Sequence, residues 1–342
     1  MSIEIRRFSS SDTDFEAKIE VLTAPIEDLD QSLVASVRDI ISQIRSGGDA
    51  ALLELTRRFD GFEASSVSEL VYERDDLKAY ESQVDRSALD AVAAAAQRIR
   101  RYHEQQINQD WSIVDDFGNR LGQRSLPMQR AGLYVPGGKA SYPSSVLMNA
   151  IPARVAGVPE IVMVAPAPGG EINPLVLAAA SIVGVDKVIT VGGAQAIAAL
   201  AYGTESVLAV DKVVGPGNRY VAEAKRQVFG KVGIDMIAGP SEIFVIADGS
   251  VDPNWVALDL MSQAEHDEIA QAVCISTSQE YLDAVANAIE ALLPGASRAD
   301  IIRASLKNRG ALIAVPNLTV AAELSNRFAP EHLELAVAAP SE

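Results

Sequence analysis

Cysteine is almost missing from this chain. Cys274 is the sole one among 342 residues, so no internal disulfide can form. Its neighbours Val273 and Ile275 are apolar. That context reads as a buried structural thiol, because reactive cysteines need electropositive, partly exposed surroundings. Cysteine usage therefore asks for no oxidising compartment. Basic residues are also scarce, with 29 Lys and Arg against 46 Asp and Glu, a formal charge of −17. Such a surface repels phosphate backbones and excludes nucleic acid as an expected partner. No run of apolar residues reaches the ~18 needed to span a bilayer. The N-terminus, Met1-Ser2-Ile3-Glu4-Ile5-Arg6-Arg7, lacks the apolar core of a signal peptide. A cytoplasmic protein with no membrane partner is the expectation. Aromatics make up 5% and histidines number three.

What is present in quantity is small and β-branched apolar side chain, within a hydrophobic content of 48%. Single cores stop growing at roughly 250–300 residues, so two domains are expected. The mix suits parallel sheets covered by closely packed helices. Residues 1–30 read as a short strand and a polar arm. Leu33, Val34, Val37, Ile40, Ile41 and Ile44 form a helical stripe. Gly47-Gly48 ends that helix and Asp49 is a good cap for the next. A long alanine-rich helix is expected over 86–107. From 130 onward, strand-like runs (131–135, 161–165, 187–191, 212–214) alternate with helical ones (144–156, 173–183, 194–202, 218–228). A second set follows, with strands at 243–247, 272–276 and 311–315 and helices at 254–264, 279–293 and 319–328. This alternation predicts right-handed crossovers and a parallel α/β fold. The second set has few strands of its own, so the N-terminal helices are expected to pack on it. That gives a discontinuous domain of 31–129 with 239–342, interrupted by an inserted domain of 130–238.

Three glycine-rich turns follow strands of the inserted domain: Val135-Pro136-Gly137-Gly138, Val191-Gly192-Gly193-Ala194-Gln195 and Val214-Gly215-Pro216-Gly217-Asn218. Ligands of open α/β sheets bind outside the carboxyl ends of the strands, and free amides at helix N-termini favour phosphate. Three turns on one edge point to a nucleotide site, with ordinary βα turns as the alternative. Neither G-x-G-x-x-G nor G-x-x-x-x-G-K-[ST] occurs in them. Ala238-Gly239-Pro240-Ser241-Glu242 either aims Ser241 into a cleft or is a plain hinge. Gln263 and His266, at i and i+3 near a helix end, can face one point. They are feasible ligands for Zn²⁺, and the alternative is a histidine meeting the helix C-terminal dipole. Glu331-His332, expected in a loop, offers an acid/base pair or a solvated one. His103 lies on a polar helix face and suggests no chemistry.

Taken in order, these segments resemble histidinol dehydrogenase. The likeness runs from Gly132-Leu133-Tyr134-Val135-Pro136-Gly137-Gly138, through Gly192-Gly193-Ala194-Gln195-Ala196, Gly215-Pro216-Gly217-Asn218 and Ala238-Gly239-Pro240-Ser241-Glu242, to Gln263-Ala264-Glu265-His266 and Ala329-Pro330-Glu331-His332. It implies two similar, incomplete Rossmann-like domains with parallel-rich sheets, one inserted in the other. It implies a zinc-requiring homodimer that oxidises L-histidinol through histidinal to L-histidine with NAD, the last step of histidine biosynthesis. By the same resemblance Tyr134, Gln195 and Asn218 contact NAD. Ser241, Gln263, His266 and His332 contact substrate, Gln263 and His266 bind zinc, and Glu331 and His332 are catalytic. The family continues past the point where this chain stops. The resemblance therefore implies a C-terminally incomplete copy, with half of the zinc shell and much of the dimer contact absent. Two alternatives remain: a related zinc- and NAD-dependent dehydrogenase of another small polar alcohol, and an inactive nucleotide-binding fragment.

Overall fold

The computed structural model describes residues 3–24, 31–137, 142–237, 239 and 241–341. The chain forms two compact units: Met1–Glu27 with Gly239–Glu342, and Asp28–Ala238 between them in sequence. We call these the terminal and the central unit.

The central unit carries a six-stranded sheet in the order Val71–Glu73, Lys187–Ile189, Glu160–Val164, Arg130–Tyr134, Lys212–Val214, Gly233–Ile234. All pairs are parallel except that of Val71–Glu73 with Lys187–Ile189. The sheet is buried on both faces. Leu133, Ile161, Met163 and Val188 join one apolar cluster, while Tyr134, Val162, Val164 and Ile189 join another. This two-sided burial is why the strands read as continuous apolar runs rather than alternating ones. Successive strands step outward from Arg130–Tyr134, and then Lys212–Val214 pairs on its other side. The direction of winding thus reverses between Arg130–Tyr134 and Lys212–Val214, the kind of point where open α/β sheets bind ligands.

The terminal unit repeats this plan. Its sheet runs Arg6–Ser9, Ala311–Ala314, Gln271–Ser276, Glu242–Ala247, His332–Ala336, parallel throughout. Winding reverses here between Glu242–Ala247 and His332–Ala336. The two parallel-rich sheets with reversed winding bear out the expected fold class.

The assignment of residues 31–129 does not hold. They belong with 130–238 rather than with 239–342. The stripe Val37, Ile40, Ile41 and Ile44 packs into the core that contains Ile197, Leu200 and Val221. The terminal unit needs no borrowed helices, because it recruits the short N-terminal strand the sequence led us to expect, Arg6–Ser9, and one strand missing from the expected set, His332–Ala336. The polar arm is also corrected: helix Phe15–Thr23 buries Phe15, Ile19 and Leu22 against Phe244 and Ile275. Gly48 breaks the Gln31–Asp60 helix at φ 52°, as the sequence predicts. The Asp49 carboxylate, however, accepts from Ser206 N (3.2 Å) and from the Thr204 and Ser206 hydroxyls instead of capping the next turn. Among the described residues, no helix is long and apolar enough to cross a membrane.

Candidate functional site

In the central unit, the predicted cofactor residues converge. Tyr134, Gln195 and Asn218 line one cavity of about 550 Å³ at the carboxyl edge of the sheet, with Pro136, Gly137, Phe59 and Arg58 in its wall. Tyr134 ends its strand, and its hydroxyl accepts a hydrogen bond from Gly193 N at 3.1 Å. Burial pushes the Tyr134 hydroxyl up to about 12, so it stays protonated and keeps a donor for a ligand. Gln195 sits in the first turn of helix Gly193–Tyr202 and is 2% exposed. Its Nε2 is buried without a hydrogen-bond partner among the described residues. Such atoms are rare in folded proteins and ask for a reason. Asn218 caps helix Arg219–Val228 by accepting from Tyr220 N and Val221 N at 3.0 and 3.2 Å.

The turn before Asn218 is clamped. Asp235 Oδ2 accepts from Gly215 N at 2.8 Å, and Lys225 Nζ donates to Gly215 O at 2.9 Å. Lys225 and Asp235 are themselves ion-paired, and the Lys225 side chain is 4% exposed. Gly215 has φ 116°, and a Cβ there would collide with the Tyr134 carbonyl oxygen. Only glycine lets the two strand ends come this close. The sequence reading missed Lys225, Asp235 and also Asp60, which lies in the cavity wall. In the sequence Lys225 stands next to Arg226 and reads as an ordinary surface cation. The expectation of free amides at the turns needs correction. Those of Gly192 and Gly193 are taken by Asp60 (3.4 Å) and Tyr134, and those of Tyr220 and Val221 by Asn218. Gly138, Ala238 and Pro240 of the quoted motifs lie outside the described residues.

In the terminal unit the predicted residues gather at the opposite, amino edge of the sheet. Ser241 precedes strand Glu242–Ala247, and its carbonyl accepts from Gln271 N at 2.9 Å. Glu331-His332, expected in a loop, opens the strand His332–Ala336, with His332 in register with Ile243. The Glu242 backbone holds both residues of the pair. Its N–H donates to Glu331 Oε2 at 3.3 Å, and its carbonyl oxygen lies 3.1 Å from His332 Nδ1. A carbonyl only accepts, so Nδ1 carries a proton, and in the neutral ring Nε2 is then the acceptor. Glu331 and His332 are 3.7 Å apart, and both are exposed. Glu242 is a further carboxylate at this edge, and burial pushes it above the usual carboxylate range. Ala329, φ 47°, turns the chain from helix Leu318–Phe328 toward the pair.

Gln263 and His266 sit at the end of helix Pro253–Ala264, also on the amino edge. His266 Nδ1 faces the Gln263 carbonyl oxygen at 3.3 Å, which leaves His266 Nε2 as the free acceptor. That is the state a metal ligand needs. Among the described residues there is no group of three or more His, Cys, Asp or Glu that could hold a metal ion. Gln263 and His266 are thus two donors without a cluster around them.

The histidinol dehydrogenase family profile matches residues 25–342. Histidinol dehydrogenase from Pseudomonas syringae pv. tomato is 58% identical over 336 residues, 98% of this chain and 75% of that protein. The Chromobacterium violaceum histidinol dehydrogenase is 57% identical over 334 residues, 98% of this chain and 77% of that one. The crystal structure of histidinol dehydrogenase from Elizabethkingia anophelis superposes with a TM-score of 0.91 at 31% identity, covering 99% of this chain and 77% of that one. The chain belongs to the histidinol dehydrogenase family of enzymes.

Proposed function

We propose that this enzyme oxidises L-histidinol through histidinal to L-histidine, using NAD and Zn²⁺, as the last step of histidine biosynthesis. Homodimeric assembly in the cytoplasm is part of the same reading and rests on the family. The observation that carries the cofactor half is Gln195. Its unpartnered, buried amide stands in the wall of a cavity at the winding reversal, beside the Tyr134 hydroxyl. A dinucleotide amide, hydroxyl or phosphate oxygen would satisfy it. NAD, when bound, accepts one hydride in each oxidation.

For zinc, Gln263 Oε1 and His266 Nε2 are donors of suitable chemistry and would hold the metal as part of its shell. The metal, when bound, would hold the substrate's amine and imidazole and so orient the alcohol. The remaining steps fall to side chains. His332 Nε2 is left basic by the Nδ1 bond to Glu242 and takes the alcohol proton as hydride departs. Glu331 is tethered through Oε2 and keeps Oε1 to deprotonate the water that attacks the aldehyde. Ser241 contributes a hydroxyl to substrate at the same edge.

The test follows NADH absorbance with L-histidinol, NAD and Zn²⁺. The reading predicts histidinol-dependent NADH, lost when Zn²⁺ is withheld. It also predicts that Glu331→Gln blocks histidinal oxidation more than histidinol oxidation. A protein that oxidises another small alcohol but not histidinol would overturn the substrate assignment. Equal loss of both steps in Glu331→Gln would overturn the role of Glu331.

A further inference from the structure

Asp60 is the last residue of helix Gln31–Asp60, and its carboxylate forms part of the cavity wall with Tyr134, Gly193 and Gln195. Its position is costly on several counts. A negative charge at a helix C-terminus meets the negative end of the dipole. The group is partly buried, and among the described residues no cation pairs with it; Arg58, two residues earlier and also in the cavity wall, stacks on Phe59 instead. Its one hydrogen-bond partner among the described residues is Gly192 N, at 3.4 Å. Burial pushes its carboxyl above the usual range. The Gly193 amide at the start of helix Gly193–Tyr202 is already taken by Tyr134. The N-terminus of that helix, the usual seat for a phosphate, thus has a carboxylate beside it in the cavity wall.

A carboxylate in such a wall repels phosphate and accepts from hydroxyls. The acid/base pair proposed for the alcohol, Glu331 and His332, lies in the other unit. It is lined instead by Phe59, Tyr134, Pro136, Pro166 and Tyr220, flat or apolar surfaces suited to a base. These features describe a seat for the non-reacting adenosine half of a dinucleotide. We infer that Asp60 accepts hydrogen bonds from the adenosine ribose hydroxyls and excludes a 2′-phosphate, making this site select NAD over NADP. The inference rests on the NAD reading above and adds the residue that enforces it.

The two readings fail differently in one experiment. Calorimetric titration of NAD and of NADP into the wild-type protein and into Asp60→Asn gives four affinities. The expected wild-type preference for NAD is roughly 100-fold, from charge repulsion in a poorly solvated wall, falling to about 10-fold or less in Asp60→Asn. Binding of neither nucleotide to the wild type would overturn the NAD reading and this inference together. An NAD preference that survives unchanged in the variant, or wild-type binding of NADP as tight as that of NAD, would overturn the role of Asp60 alone.

Thermal melting separates recognition from mere support of the turn. Burial raises the Asp60 carboxyl above its ordinary 3.8, so the folded state binds the proton more tightly than the unfolded one. Its contribution favours folding below 3.8 and is lost as pH rises through the raised value. Asp60→Asn should then melt at or above the wild-type temperature at neutral pH, with the difference closing on acidification. A variant that melts lower and loses both nucleotides equally would make Asp60 a structural prop and contradict the inference.

Discussion

The two units share one winding plan and use opposite edges of it. In the central unit, Tyr134, Gln195 and Asn218 meet where strands end. In the terminal unit, Ser241, Glu331, His332, Gln263 and His266 lie where strands begin. The difference has an electrostatic logic. At the carboxyl edge of a parallel sheet, helices present their N-termini and their amides. At the amino edge they present C-terminal carbonyls, which favour cations. A metal ion and a substrate bearing an amine and an imidazole suit the second edge. The first suits a dinucleotide, with Asp60 modifying its charge at one helix start. Binding outside the carboxyl ends, the usual rule for open α/β sheets, thus accounts for one unit and not the other.

This contrast can be broken by mutation. The largest effect is expected for His332→Gln. It removes the base proposed for the amino edge and should lower histidinol turnover by about 10³-fold. NAD affinity, measured separately, should stay within a factor of about two, since His332 takes no part in the central cavity. An equal fall in NAD affinity would merge the two sites and undo the contrast.

Lys225→Met comes next and strikes the carboxyl edge alone. It leaves Asp235 without its cation and releases the Gly215 peptide. Losing one partner of a buried pair should cost about 3 kcal/mol of stability. The informative readout is the split between constants: KM for NAD should rise about tenfold, because about 1.4 kcal/mol of turn positioning is lost, with kcat little changed. A fall in kcat at constant KM would place the clamp in the wrong unit's chemistry.

Ala329→Gly sharpens the comparison from the other side. Ala329 is the described non-glycine residue at positive φ, two residues before Glu331. Glycine should stabilise the fold by about 1 kcal/mol in denaturant melts, by removing the left-handed penalty. If the strained turn also holds Glu331 in place, turnover should fall even as stability rises. Unchanged turnover would show that the Glu242 backbone suffices to hold the pair.

Much of the carboxyl-edge site was legible in the sequence. Strands buried on both faces read as apolar runs, and three of the four ended in a glycine turn, so Tyr134, Gln195 and Asn218 could be set on one edge. Domain membership was not legible, for a physical reason. The stripe from Leu33 to Ile44 says that a helix buries one face but not which sheet lies opposite. The strand His332–Ala336 escaped because Leu333 and Leu335 are exposed, Glu334 and Ala336 are only half-buried, and Pro330 breaks the run just before it. The hairpin of Trp111–Val114 with Arg120–Gln123 is exposed on every residue and carries no period at all. Asp60 acts through Gly192, far away in sequence, so no local pattern could name it. The roles of Glu331 and Gln263 came from whole motifs in order, since neither spacing nor composition chose between chemistry and a solvated surface.

The most direct test of the two-edge account is hydrogen exchange with NAD alone, read by peptide. The account predicts slowed exchange around Tyr134–Gly137, Gly192–Gln195 and Gly215–Tyr220, with residues 241–243 and 331–333 unchanged until histidinol and Zn²⁺ are added. Protection by NAD at 241–243 and 331–333, with Gly192–Gln195 unaffected, would contradict it.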